Sequence, residues 1–106
     1  MSAWILNVTF DCADAASIAR FWSEVTGWPC SPQEMPGNPY WVVGPPEQGV
    51  PRLVFLDVRE PKTMKNRVHL DLVPDGISQD QEVSRLLSVG ARSSTTAGMP
   101  RLVDGW

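Results

Sequence analysis

The amino-acid sequence predicts an α+β fold made of two βαβββ modules, the second cut short. Three observations carry this. A strand pattern followed by an amphipathic helix opens the chain, and the same pair returns about sixty residues later. The stretch between the two pairs is too rich in proline for a helix and reads as short antiparallel strands. At 106 residues the whole is one domain's worth of chain, with a first module over about 1–62 and an incomplete second module over about 63–106.

The first strand is read from Ile5 to Asp11. Leu6, Val8 and Phe10 alternate on one face with Asn7, Thr9 and Asp11 on the other. Asp14 offers an N-cap, since its carboxylate can accept the free N–H groups of a helix start. Ile18, Phe21, Trp22 and Val25 follow at i, i+3, i+4 and i+7, and Gly27 suits the left-handed residue that ends a helix. Seven of the ten prolines lie in residues 28–51, so only short strands fit there and just beyond: Tyr40 to Val43, then Arg52 to Val58.

The opening pattern then repeats. Val68, Leu70 and Leu72 alternate with Arg67, His69 and Asp71, which predicts a strand over 67–72. Ser78 and Gln81 have the spacing of a capping box. Val83, Leu86 and Leu87 form the predicted inner stripe of the second helix, Gly90 is its stop, and Val103 and Trp106 lie in an extended segment. Asn7 aligns with His69 at an offset of 62, and Gly27 with Gly90 at 63. A second module of about sixty residues would end near residue ~125, so its closing strand is expected to be missing. An unclosed sheet edge invites pairing between chains, and a homodimer is expected.

Composition limits the partners. Nine basic against twelve acidic residues gives a formal charge of -3, which argues against a groove that tracks nucleic-acid phosphates. Lys62, Lys65 and Arg67 cluster, but three such charges read as a solvated approach to a strand. No apolar run reaches membrane-spanning length, and Met1 to Ile5 lacks the pattern of a secretory signal. A cytoplasmic protein with no membrane partner is expected. Cys12 and Cys30 lack metal-like spacing and read as free thiols packed as small hydrophobes.

The polar strand faces hold the candidate site. If the sheet curls into a trough, Asn7, Thr9, Arg67, His69 and Asp71 line a ligand pocket, and Trp41 supplies an aromatic wall. A flat solvated sheet would explain the same polarity without function. Trp22 reads as helix-to-sheet core, while Trp28 fits either role. His69 is the only histidine, so a metal site would need further donors, for which Asp71 and Asp11 are the nearest candidates.

The runs Asn7-Val8-Thr9-Phe10-Asp11-Cys12-Ala13-Asp14, Ala19-Arg20-Phe21-Trp22-Ser23-Glu24 and Gly27-Trp28 carry a family resemblance. So, most specifically, does Pro61-Lys62-Thr63-Met64-Lys65-Asn66-Arg67-Val68-His69-Leu70-Asp71-Leu72. Together they resemble the glyoxalase-like domain of the vicinal oxygen chelate superfamily, which includes glyoxalase I, bleomycin resistance proteins and extradiol dioxygenases. The resemblance covers nearly the whole chain and implies two βαβββ modules forming a curled mixed sheet around a cavity. In metal-dependent members it also implies a histidine ligand on the first strand, a second histidine on the first strand of module two, and a glutamate on the last strand. These positions fall on Asn7, on His69 and beyond Trp106.

One ligand of three does not make a stable open metal site. The leading expectation is therefore a small-molecule binding protein of the bleomycin resistance type, without metal or other cofactor, that holds a small organic ligand in the trough. Two alternatives stand beside it. One is a metal-dependent lyase or dioxygenase-like enzyme whose remaining ligand lies past the C-terminus, or one using His69 as a general base. The other is an oligomeric interaction module that pairs through the open sheet edge.

Overall fold

The computed structural model describes residues 2–33, 39–45, 47, 49–64, 66–96 and 99–103. The chain divides into two compact units, Met1–Thr63 and Met64–Gly105. The described elements make an α+β protein with a four-stranded mixed sheet, two helices and one further strand pair.

The first unit runs β1 (Asn7–Cys12), α1 (Ala15–Thr26), β2 (Cys30–Gln33), β3 (Tyr40–Val43) and β4 (Arg52–Asp57). Its sheet has the order β1-β4-β3-β2. β1 lies parallel to β4 with Asn7 beside Arg52, while β3 is antiparallel to both β4 and β2. The sequence missed β2 because Pro32 sits inside it. β2 is an edge strand, where the missing N–H of a proline costs no ladder bond.

Sequence-local chemistry sets the ends of α1. The Asp14 carboxylate accepts from Ser17 N at 3.2 Å, and Asp57 Oδ1, at the end of β4, accepts from Ala15 N at 2.7 Å. Gly27 closes the helix at φ 73°, with its N–H donating to Ser23 O. The turn that follows is pinned by Ser23 Oγ donating to Trp28 O at 2.6 Å and by Trp28 N donating to Thr26 Oγ1 at 3.1 Å.

The face that α1 turns inward differs from the expected stripe. Ala15, Ala19 and Trp22 are buried, while Ile18, Phe21 and Val25 are only half-buried. Two alanines four residues apart let the helix backbone approach the sheet closely, which larger side chains would prevent. Phe10, Cys12, Val43, Leu53 and Phe55 are buried, and the Phe10 and Phe55 rings stack with centroids 5.3 Å apart. Both cysteines are free: Cys12 is buried and Cys30 half-buried.

The second unit holds α2 (Gln79–Ser88) and the antiparallel pair β5 (Arg92–Thr96) and β6 (Met99–Val103). Ser78 and Gln81 form the full reciprocal capping box at the start of α2. Gly90, at φ 120°, follows the C-cap Val89. Leu86 is buried as expected, but Leu87 is exposed.

The strand expected over 67–72 is not formed, and the segment is irregular. The alternation is present, but alternation alone does not hold a strand; a ladder partner does. In the first unit β1 finds its partner 45 residues later, Asn7 against Arg52. Among the described residues no strand pairs with the 67–72 segment. Its apolar side is correspondingly unburied, with Val68 and Leu72 exposed. The first unit thus shows the βαβββ order, while the second does not show a repeat of it. No helix among the described residues is long and apolar enough to cross a membrane.

Candidate functional site

Strand pairing sorts the first unit's side chains onto two faces, because residues directly opposite one another in a ladder point the same way. Val8, Phe10 and Cys12 share one face with Leu53, Phe55, Trp41 and Val43. Asp57 falls on this face by alternation, and its bond to Ala15 N shows that α1 covers it. Asn7, Thr9 and Asp11 lie on the opposite face, with Arg52, Val54, Leu56, Tyr40 and Val42.

The predicted grouping is therefore only partly assembled. Asn7 and Thr9 share the polar face, Asn7 half-buried and Thr9 exposed. Trp41 lies in the register row of Phe10 and Phe55, on the helix-covered face, so it does not share theirs. Its neighbour Tyr40 does. Arg67, His69 and Asp71 belong to the second unit, on the irregular segment, and all three are exposed. Cys30 is on the helix side, where burial pushes its thiol pKa up and the Arg20 charge pulls partly against that shift.

The residue that sequence reasoning missed is Arg52. Its Nε donates to Asn7 Oδ1 at 3.0 Å. Gly44 makes room for its stem: a Cβ at Gly44 would stand 2.5 Å from Arg52 Cγ. No local signal marks this pair. It depends on a parallel register linking positions 7 and 52, which only the folded sheet creates.

Comparison with known families bears on the same positions. A model of the glyoxalase-like domain matches residues 7–104. The chain belongs to the glyoxalase-like domain family. Searches of characterised proteins and of solved structures returned no match. In this glyoxalase-like domain the position where the resemblance implies a first-strand histidine ligand carries Asn7, whose side chain does not fit the role of a metal ligand here. The amide oxygen of Asn7 is engaged by a guanidinium, and a fixed positive charge beside it repels a second cation. Among the described residues no group of three or more His, Cys, Asp or Glu is arranged to hold a metal ion.

Proposed function

We propose that this glyoxalase-like domain is a small-molecule binding protein that works without a resident metal, its ligand lying against the polar face of the sheet at Asn7 and Thr9. One observation carries the reading: Arg52 donates to Asn7 at the position where metal-dependent relatives are expected to place a ligand histidine. An arginine there replaces Lewis-acid chemistry with hydrogen bonding and charge. The reading rests on the first unit alone.

The test is amide chemical-shift mapping of the ¹⁵N-labelled protein against pools of aromatic, anionic and aldehyde-derived compounds, with chelator present. Shifts centred on Asn7, Thr9 and Val54 are expected. Silence from every pool, or shifts confined to the helix-covered face, would contradict the proposal.

A second reading, association through the sheet edge as a homodimer, is favoured by a separate observation. β1 is a terminal strand of the sheet, and Trp4, Ile5 and Leu6, which lead into it, are all exposed. Light scattering across a concentration series checks it, and a monomer at every concentration contradicts it.

A further inference from the structure

We propose that the corner formed by Asn7, Thr9 and Arg52 is an anion site that takes the carboxylate of the small-molecule ligand. This rests on the function proposed above and adds the chemical class of what is bound. The argument starts from donors and acceptors. Asn7 Oδ1 accepts from Arg52 Nε, which leaves the Asn7 NH₂ group as a donor with no hydrogen bond to a described residue. The N–H groups on Nη1 and Nη2 of Arg52 make no hydrogen bond to any described residue, and no described carboxylate forms an ion pair with it. The Thr9 hydroxyl, one step along the same face, is exposed and likewise makes no hydrogen bond among the described residues. The corner therefore offers the Asn7 NH₂ and the Arg52 guanidinium as donors, the latter fully charged, beside a Thr9 hydroxyl that can donate or accept.

The surroundings keep that charge in play. Arg52 is half-buried, and its stem lies over Gly44 between strands rather than out in water. The only acidic residue on this face among the described ladder positions is Asp11, four residues along β1 from Asn7. At strand rise that is about 14 Å, beyond the screening length at physiological salt. Arg52 is thus a partly desolvated cation with no ion-pair partner among the described residues, and its planar end matches a carboxylate's two oxygens. The apolar body of such a ligand would extend past Thr9, the exposed member of the next register row, in which Val54 and Val42 are buried.

The experiment uses three acids and their neutral amides: benzoate, phenylacetate and indole-3-acetate against benzamide, phenylacetamide and indole-3-acetamide. Each is titrated into the labelled protein while the Asn7, Thr9 and Arg52 amides are followed. The acids are expected to bind at this corner roughly tenfold or more tighter than their amides. Arg52→Met should abolish that preference. Asn7→Asp is the second variant: its carboxylate can accept the same Nε bond, so the fold is kept while Arg52 gains an internal counter-ion and acid binding is lost. Acids and amides that bind alike at this corner overturn the anion site but leave the small-molecule reading standing. An acid preference that survives in both variants also overturns it, as does a face that answers only to neutral compounds. No binding by these probes or by the broader pools ends both readings.

Discussion

Alanine at Gly44 puts the geometry around Arg52 to a quantitative test. The new Cβ would lie 2.5 Å from Arg52 Cγ, 2.9 Å from its Cβ and 3.1 Å from its Cδ. These atoms lie near the root of the side chain, so a swing of the guanidinium cannot relieve the contact; the strand or the χ1 rotamer must move. Overpacking of this kind costs about 1–3 kcal/mol. Against it stands the roughly 0.4–1 kcal/mol that alanine gains over glycine by restricting the unfolded chain. The net expectation for Gly44→Ala is a loss of about 0–2.6 kcal/mol. In an Arg52→Ala background the contacts to Cγ and Cδ are gone while the 2.9 Å contact to Cβ stays, so the same substitution should cost less than in the wild type. Urea unfolding followed by tryptophan fluorescence on the wild type, both single variants and the double variant gives the coupling directly. A coupling of about 0.5–2 kcal/mol is predicted, since truncation to alanine relieves only part of the overpacking. Effects that add within ~0.5 kcal/mol would show that Gly44 and Arg52 are not in contact and would refute the account of how the anion corner is built.

Other expectations follow from the packing and the caps. Phe55→Ala removes a fully buried ring stacked on Phe10 and should cost about 3–5 kcal/mol in the same unfolding assay, a large share of a small domain's stability. Ser78→Ala breaks the capping box of α2 and should cost about 1 kcal/mol, seen as faster amide exchange in the first turn of that helix. Asp57→Asn keeps an acceptor for Ala15 N but removes the charge at the start of α1, so it should cost less than Asp57→Ala, with the difference shrinking in high salt. Burial raises the Cys30 pKa, so its neutral thiol persists to higher pH than in an unfolded chain. The associated stability is present below the unfolded thiol's pKa and is lost as pH rises through the folded value. Alkylation by iodoacetamide should accordingly be slower at Cys30 than in a denatured control at the same pH, and slower again in Arg20→Ala, which loses the opposing charge.

What could be read from the sequence was mostly what short-range chemistry decides. Asp14, Gly27, Ser78 and Gln81 act within a turn or two of chain, and each does what its spacing implied. The alternation of β1 gave the right buried face because that strand has a partner. The same alternation at Arg67–Leu72 misled, since pattern supplies a preference and only a neighbouring strand supplies the hydrogen bonds. Trp41 was grouped with Asn7 and Thr9 as an aromatic on a polar sheet, yet a strand's face is fixed by register, and pairing with Phe55 turns it toward the helix. The Asn7–Arg52 bond was invisible for the same reason: it spans 45 residues and needs the parallel β1–β4 register before either residue hints at the other. The α+β class was accessible through the local strand and helix patterns of the first unit, whereas the site was accessible only where one strand carried it.

Indole-3-acetate is also the simplest probe of whether a metal is needed. Saturation transfer from protein to ligand can be recorded on one sample after exhaustive chelation and again after adding zinc, nickel or manganese in turn. The account predicts the same transfer with chelator as without and no gain from any ion. Transfer that disappears on chelation and returns with one metal would mean that the guanidinium of Arg52 does not stand in for an ion, and the proposed function would fall with it.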